Sequence, residues 1–370
     1  MPPLSMMIKP ASSACDLRCR YCFYADVTSR REQACRGMMT PQTMRALVRR
    51  AFIYADDTVT FAFQGGEPTL AGAEFFQAFL QMVSEYNVRG LPVSYALQTN
   101  GCHLSDALCA LFAKHHFLLG VSLDGDRETH DAARVDAEGN GSYDRVLSGI
   151  AMLKKYKVDF NILCVVTART AEHTEQVWKA LAPYEHLQFI PCIDEFGGER
   201  GSFSLEAEAY GRFLIESFDL YEAAFYTGHA VSERRFDNYI GMLLGCMPEH
   251  CGMAGICGLY FLVEADGSVY PCDFYALDEW RLGNVNETSL ARIANSPKAL
   301  AFREASLTLP ETCGACKWRA LCRGGCRRDR EPVLAGKLGE NRFCESYRMF
   351  FEKRFDRMAL LAERVRRQSL

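Results

Sequence analysis

Short apolar runs alternate with helical patterns over residues 6–193. The apolar runs are rich in Val, Ile, Leu and Phe, and turn residues bound each of them, so they predict strands. These runs cover residues 6–11, 58–65, 93–99, 117–123, 159–166 and 186–193. Between them, apolar residues recur at three- and four-residue spacing, which predicts helices over 41–55, 72–86, 105–116, 142–156 and 171–184. Ser105-Asp106 and Ser142-Tyr143 provide cap signals for two of these helices.

This alternation predicts an α/β fold in which a parallel sheet has helices packed outside it. Six such units fit either an open doubly wound sheet or an incomplete barrel, and periodicity alone does not choose between the two. Further helices are predicted over 204–226 and 232–245. The chain then becomes rich in Cys and Gly. A hairpin is predicted over 259–274, and an amphipathic helix with basic residues near its end is predicted over 346–370.

Composition narrows the functional classes. The 370 residues are 49% hydrophobic and 24% charged, which is typical of a globular protein. The net charge of −4 argues against nucleic acid as a partner, and no apolar run approaches the ~18 residues of a membrane span. The N-terminus lacks the pattern of a secretory signal. We therefore expect a soluble, cytoplasmic protein that acts on neither nucleic acid nor a membrane.

The chain has 17 cysteines, and in a reducing compartment tight cysteine spacings indicate metal or redox chemistry. Three lie within residues 15–22, and eight more lie between Cys251 and Cys344. We expect the isolated cysteines to be small buried hydrophobic residues. These are Cys35, Cys102, Cys109, Cys164, Cys192 and Cys246.

The first cysteine group directly follows the first predicted strand. In Cys15-x3-Cys19-x2-Cys22, three thiolates on one short loop can hold three corners of a cubane iron–sulfur cluster. No fourth cysteine belongs to the pattern, so one iron is left open to another ligand. A zinc site with three protein ligands is the alternative.

Polar and glycine motifs follow the next three predicted strands. They are Gln64-Gly65-Gly66-Glu67-Pro68, Gln98-Thr99-Asn100-Gly101, and the pair Ser122 and Asp124. Carboxyl ends of parallel strands meet at one edge, where α/β proteins place their sites. Alone, each motif also fits a βα turn or a helix cap.

The spacing C-x3-C-x-aromatic-C after a first strand, with the GGE motif after the second, resembles the radical S-adenosylmethionine superfamily. The resemblance implies a partial (β/α)6 barrel and an open iron that binds S-adenosylmethionine. It implies cofactor contacts for Tyr24, Gln64, Gly65, Gly66, Glu67, Ser122 and Asp124, and a contact with the substrate peptide for Gln98.

The second cysteine group, which includes Cys257-x9-Gly267-x4-Cys272, resembles the SPASM domain of peptide-modifying radical enzymes. The resemblance implies two auxiliary [4Fe–4S] clusters, each with four thiolate ligands. One cluster takes Cys251, Cys257, Cys272 and Cys326, and the other takes Cys313, Cys316, Cys322 and Cys344. Two structural zinc sites are the alternative.

Several longer strings resemble anaerobic sulfatase-maturating enzymes over essentially residues 1–350. They include SACDLRCRYCFY, FAFQGGEPTLAG, LQTNG, FNILCVVT, SVYPCDFY and WRLGN. The resemblance implies oxidation of a Cys or Ser of a sulfatase to Cα-formylglycine, with S-adenosylmethionine and three [4Fe–4S] clusters as cofactors. It also divides the chain into a radical barrel (1–230), a SPASM domain (231–345) and a C-terminal helix (346–370).

The same resemblance assigns Asp273, next to Cys272, as the general base that takes the substrate proton. It implies a sulfatase segment of the Cys/Ser-x-Pro-x-Arg type as substrate and an electron donor such as ferredoxin or flavodoxin. Two alternatives come from other classes. One is a SPASM maturase that forms a thioether, a carbon–carbon crosslink or an epimer in a ribosomally made peptide. The other is a non-enzymatic iron–sulfur electron carrier, which leaves the cofactor motifs unexplained.

Overall fold

A computed structural model describes residues 3–197, 200–258, 260–331, 333–334 and 337–368. Its strands are β1 (Leu4–Ile8), β2 (Val59–Phe63), β3 (Val93–Thr99), β4 (Leu118–Ser122), β5 (Asp159–Val166), β6 (His186–Pro191), β7 (Ser232–Glu233), β8 (Phe261–Val263), β9 (Ser268–Tyr270), β10 (Gly283–Asn284), β11 (Val333–Leu334) and β12 (Lys337–Leu338). The first six overlap the six predicted strands.

The helices of the described residues follow the predicted alternation with several additions. They are α1 (Phe23–Ser29), α2 (Pro41–Tyr54), α3 (Gly72–Tyr86), α4 (Asp106–Lys114), α5 (Arg127–Asp131), α6 (Tyr143–Tyr156), α7 (Ala168–Glu172), α8 (Thr174–Leu181), α9 (Ala207–Tyr226), α10 (Arg234–Leu243), α11 (Cys251–Ala254), α12 (Leu290–Ala294), α13 (Pro297–Leu307), α14 (Arg319–Cys322) and α15 (Cys344–Gln368). Within this part of the chain, no helix is both long enough and apolar enough to cross a membrane.

Local chemistry explains where the helix predictions succeed and fail. The Ser105 side chain accepts a hydrogen bond from the Leu108 N–H at 3.3 Å and caps α4, as predicted. The Ser142 cap is wrong, because its hydroxyl donates instead to the Arg134 carbonyl at 2.9 Å. The single helix predicted over 171–184 is also wrong: α7 and α8 are separate because His173 adopts φ −124° and ψ 35°.

The chain divides into two compact units, each built from three segments. The first unit comprises Met1–Ser122, Ala133–Phe160 and Leu259–Phe302, and the second comprises Leu123–Ala132, Asn161–Gly258 and Arg303–Leu370. The division into domains at residues 230 and 345 that the sequence suggested stays a prediction.

The first unit contains the strand order β10-β9-β8-β1-β2-β3-β4. Strands β1 to β4 run parallel, with Ile8 opposite Phe63 in β1 and β2. Phenylalanines fill the space beneath α3 and α4, and the rings of Phe63 and Phe76 meet edge-to-face at 5.1 Å. The predicted hairpin is confirmed from Tyr260 onwards as antiparallel β8 and β9, while its first predicted residue, 259, lies outside the described residues.

The second unit contains β5, β6 and β7, which are parallel, and the helix pair α9 and α15. The rings of Phe218 on α9 and Phe350 on α15 lie 5.7 Å apart, and Arg354 forms two hydrogen bonds of 2.7 Å with Asp219. Helix α15 confirms the predicted C-terminal helix through residue 368, and residues 369–370 lie outside the described residues.

Candidate active site

The first cysteine group lies on the loop between β1 and α1. The Leu17 N–H points at the Cys15 sulfur at 3.4 Å, and the Cys22 N–H donates to the Cys19 carbonyl at 3.1 Å. Burial raises the pKa of the Cys15 thiol to about 12, and the Leu17 N–H opposes this shift. All three thiols are partly exposed. A cation bound at this loop would deprotonate them, since a coordinating thiol loses its proton.

The GGE turn packs directly against this cysteine loop. The Glu67 N–H donates to the Ala14 carbonyl at 2.8 Å. Gly66 has φ +58°, and a Cβ there would stand 2.3 Å from the Ala14 carbonyl oxygen. A Cβ on Gly65 would stand 2.4 Å from the Lys9 side chain. The glycines are therefore required by the close approach of the protein's own loop.

The Glu67 carboxylate joins this turn to the end of β3. Its Oε1 accepts hydrogen bonds from the Thr69 N–H at 3.0 Å, the Thr69 hydroxyl at 2.6 Å and the Thr99 hydroxyl at 2.8 Å. Its Oε2 accepts one from the Asn100 N–H at 2.7 Å. Asn100 in turn donates to Asp16 beside Cys15 at 2.6 Å. Glu67 is 1% exposed. Burial raises its pKa, although the four hydrogen-bond donors act to lower it.

Asp273 sits in a hydrogen-bonded group with two of the other predicted residues. Its Oδ2 accepts from the Tyr24 hydroxyl at 3.2 Å and from Gln64 Nε2 at 3.1 Å, and Gln64 also donates to Tyr24 at 2.9 Å. Its Oδ1 accepts from the Tyr260 hydroxyl at 2.7 Å. Burial raises the pKa of Tyr24 and of Tyr260, and the charge of Asp273 adds to both shifts. Both hydroxyls therefore stay protonated and donate to Asp273.

A buried cationic pair lies beside Tyr24. Lys9 Nζ is 4.7 Å from the centre of the Tyr24 ring and 3.0 Å from Glu264, which Arg31 also meets at 2.6 Å. Burial alone would raise the pKa of Glu264, but Lys9 and Arg31 lower it to about 2. These three charges hold the Tyr24 side of the site in place, because a buried charge needs its partner.

Tyr260, Lys9 and Glu264 were missed by the sequence analysis. Tyr260 opens the hairpin that carries Asp273, and its hydroxyl also lies 3.2 Å from the Cys272 sulfur. Lys9 immediately follows β1, and its aliphatic stem fills the space left by Gly65. A lysine directly after a buried strand was the one available signal, since a Lys is almost never fully buried without a partner.

Ser122 and Gln98 occupy the carboxyl-end halves of β4 and β3. Ser122 is buried, and Gln98 is half-buried opposite Gly120. Within the described residues, neither side chain hydrogen-bonds to the protein.

Asp124 belongs to the second unit and is anchored there. Its Oδ1 accepts from the Val165 N–H at 2.9 Å, and its own N–H donates to His130 Nδ1 at 3.2 Å. The side chain is 1% exposed. The contacts tie Asp124 to β5.

In the second unit, four of the predicted cluster ligands line one cavity. The cavity has a volume of about 370 Å³ and contains Cys313, Cys316, Cys322 and Cys344 in its wall. Burial raises the pKa of Cys344 to about 12, and the charges of Glu340, Cys322 and Cys313 add to the shift. The Trp318 indole N–H, also of the cavity wall, is buried and has no hydrogen-bond partner among the described residues. Four thiols and an unused donor fit a cubane, whose sulfides accept hydrogen bonds.

Three ligands of the other predicted set also lie in the second unit. The Cys326 sulfur accepts a hydrogen bond from the Arg328 N–H at 3.4 Å. Burial raises the pKa of Cys326 most, and the charges of Asp329, Cys251 and Cys257 raise it further. Cys272 belongs to the first unit. Among the described residues, no three His, Cys, Asp or Glu side chains are spaced to hold a single metal ion.

The isolated cysteines divide into two groups. Cys109, Cys164 and Cys192 are buried as expected, and Cys102 is partly buried. The expectation is wrong for Cys35 and Cys246, which are exposed in irregular segments that follow α1 and α10.

Comparison with known proteins shows which families and relatives this chain is similar to. Residues 10–180 match the model of the radical SAM superfamily, and residues 256–317 match the SPASM model, described as an iron–sulfur cluster-binding domain. A cysteine-type anaerobic sulfatase-maturating enzyme of Clostridium novyi is 43% identical over 98% of each chain. One from Clostridium perfringens is 40% identical over 99% of this chain and 100% of its own. A serine-type enzyme of Klebsiella aerogenes is 31% identical over 94% of this chain and 84% of its own.

Solved structures of these enzymes are similar to this chain as well. Native anSMEcpe with bound AdoMet and a peptide has a TM-score of 0.94 and 40% identity, over 98% of this chain and 100% of its own. The α/β class, with a partial parallel barrel and an iron–sulfur C-terminal region, is thereby confirmed, and so are the predicted cofactors. The iron–sulfur match favours clusters over the zinc alternative. The chain belongs to the anaerobic sulfatase-maturating enzymes of the radical SAM superfamily.

Proposed function

We propose that this protein oxidises a cysteine side chain of a sulfatase polypeptide to Cα-formylglycine. The relatives named cysteine-type are 40–43% identical to it, whereas those named serine-type are 28–31% identical. The observation that carries the proposal is the hydrogen-bonded group around Asp273, which belongs to the same unit as the three-cysteine loop.

Cys15, Cys19 and Cys22 would hold a cluster with one open iron. S-adenosylmethionine bound there supplies, after reduction, a radical that removes a hydrogen atom from the substrate Cβ. Tyr24, Gln64, Gly65, Gly66, Glu67, Ser122 and Asp124 are proposed to bind this cofactor, and Gln98 is proposed to contact the peptide. Support comes from their placement, since all but Asp124 lie in the first unit and most follow the carboxyl ends of parallel strands.

Asp273 would take the proton of the substrate thiol. Three side chains fix its carboxylate in one orientation, and Tyr260 makes the shortest of these bonds. Tyr24 and Gln64 both reach Oδ2 and also contact each other, so a substrate near either would meet an already oriented base. The unpaired electron of the substrate would then leave for the auxiliary clusters, and water would hydrolyse the resulting thioaldehyde to the aldehyde and hydrogen sulfide.

Cys251, Cys257, Cys272 and Cys326 are proposed to ligate one auxiliary cluster, and Cys313, Cys316, Cys322 and Cys344 the other. The shared cavity of the latter four supports this assignment. We also propose that ferredoxin or flavodoxin donates electrons, that the substrate segment is of the Cys-x-Pro-x-Arg type, and that the protein works in the reducing cytoplasm.

The test is anaerobic incubation of the iron-loaded protein with S-adenosylmethionine, reductant and a Cys-x-Pro-x-Arg peptide. Mass spectrometry should show conversion of the cysteine to an aldehyde with release of sulfide. The matched serine peptide should react more slowly, and an alanine peptide should not react. A crosslinked or epimerised product would overturn the proposal in favour of a peptide maturase.

A further inference from the structure

Arg330 carries a buried charge in the second unit without a carboxylate partner. The residue is 1% exposed and ends the short 3-10 turn Arg327–Arg330, just after Cys326. Among the residues that the structure describes, its guanidinium donates to backbone carbonyls alone, those of Ser306 at 3.0 Å, Gly339 at 3.3 Å and Thr308. In the part of the chain that the structure describes, no Asp or Glu lies within ion-pair distance of it.

Cysteines of both predicted cluster sites act electrostatically on Arg330, and contacts on two sides of its guanidinium lead towards these sites. On one side, the Ser306 residue that accepts from Arg330 also receives the Cys257 N–H at 2.9 Å. On the other side, Gly324 lines the cavity of the four thiols, and a Cβ on it would lie 4.0 Å from Arg330 Nη1. Burial lowers the pKa of Arg330, while the charges of Cys313, Cys257 and Cys326 act in the opposite direction.

An unpaired buried charge is costly, and proteins normally compensate it. Four thiolates outweigh the positive charge of a cubane core, so each loaded site is a net anion, and reduction adds a further negative charge. Net charge near a cluster is one of the factors that set its reduction potential.

We propose that Arg330 is the shared counter-charge of both auxiliary clusters and favours their reduced forms. The proposal rests on the proposed function, because it needs clusters at both thiol sets. Arg330 would act on the clusters electrostatically, without touching them. Its hydrogen bonds also hold the backbone at residues 306–308 and 339. One fixed cation next to both sites would make the two clusters respond together to any change at this position.

The test compares Arg330→Met, which removes the charge but keeps a long side chain, with Arg330→Lys, which keeps the charge. Arg89→Met is the control for the loss of one positive charge in the first unit: Arg89 likewise donates to backbone carbonyls, those of Phe52 and Ala55, but it also pairs with Asp56. Potentiometric titration followed by electron paramagnetic resonance measures the midpoint potential of each cluster in the iron-loaded proteins.

In Arg330→Met, both auxiliary clusters should become harder to reduce, while the cluster of Cys15, Cys19 and Cys22 keeps its potential. Arg330→Lys should restore most of the shift, and Arg89→Met should show none. Unchanged potentials, or a shift of one auxiliary cluster alone, would overturn the shared role.

Iron analysis covers the case in which Arg330→Met does not assemble normally. Selective loss of both auxiliary clusters, with rescue in Arg330→Lys, supports the inference. Loss of all clusters without rescue refutes it and assigns Arg330 to the backbone alone. If the unaltered protein itself lacks auxiliary iron, the proposed function and the inference about Arg330 both fail, whereas unchanged potentials in a fully loaded protein refute the inference alone.

Discussion

Asp273→Asn separates the proposed base from a merely structural aspartate. Asparagine has nearly the same shape, and its carbonyl oxygen can keep the 2.7 Å bond from Tyr260. The other side of the group then places an amide N–H₂ near Gln64 Nε2 and the Tyr24 hydroxyl, so two donors lose their acceptor unless the Gln64 amide turns over and the Tyr24 hydroxyl rotates. A lost bond of this kind costs about 1–3 kcal/mol, which is too small to unfold a typical domain.

Catalysis should suffer far more than stability. Losing a positioned base lowers the rate by ~10²–10⁴-fold, and we expect formylglycine to fall by that factor. Cofactor cleavage to 5′-deoxyadenosine should continue, because it depends on the cysteine loop. Tyr260→Phe is the matched control, since it keeps the carboxylate and removes one bond to it. A hydrogen bond to a charged group contributes about 1.5–3 kcal/mol, so Tyr260→Phe should lower product formation by roughly 10- to 150-fold at most.

The assay measures 5′-deoxyadenosine and aldehyde side by side, with a substrate deuterated at Cβ and with iron content checked in each variant. Deuterium should still appear in 5′-deoxyadenosine made by Asp273→Asn. If 5′-deoxyadenosine and aldehyde fall in parallel while the clusters are intact, Asp273 orients the substrate and the assignment as base is wrong.

Three other predictions follow from the same unit. Gly66→Ala should lower the melting temperature well beyond Gly72→Ala, because a Cβ on Gly66 stands 2.3 Å from Ala14 O, whereas Gly72 faces open space and Gly72→Ala adds only backbone strain of about 1–3 kcal/mol, since φ +79° and ψ 166° suit glycine alone. Equal shifts would contradict the packing argument. Replacing Cys15, Cys19 and Cys22 together with Ala should remove about four of about twelve irons and abolish cofactor cleavage, and a larger iron loss would mean that the ligand sets are wrong. Lys9 and Arg31 lower the pKa of Glu264 to about 2, below its ordinary 4.5, although burial alone would raise it. The ionised carboxylate therefore stabilises the fold above pH 4.5, and this stabilisation is lost as the pH falls towards 2. Glu264→Gln should therefore unfold at lower urea than the unaltered protein at pH 7, and a difference that stays constant on acidification would refute the ion-pair account.

Periodicity predicted the six strands and most helices because those elements bury one face each, and burial leaves a regular sequence pattern. The same pattern could not show that His173 interrupts a helix or that Ser142 bonds backwards to Arg134, since both depend on single local contacts. At the site, Tyr24, Gln64 and Asp273 were identified by resemblance, and the structure brings them together. Tyr260 and Glu264 carry no motif, and only three-dimensional contact reveals them.

The interleaved segments of the first unit constrain how this protein can be made. Strand β1 pairs with β2 on one side and, on the other, with β8, which the ribosome delivers some 250 residues later. Until Phe261–Val263 arrives, one edge of β1 has no partner, and an unpaired apolar edge invites aggregation. A chain cut before residue 259 would expose that edge and would also lack Tyr260 and Asp273. The segment that carries β8 and β9 therefore belongs to the same unit as β1 to β4. The N-terminal half of the chain alone cannot complete the folding of this unit.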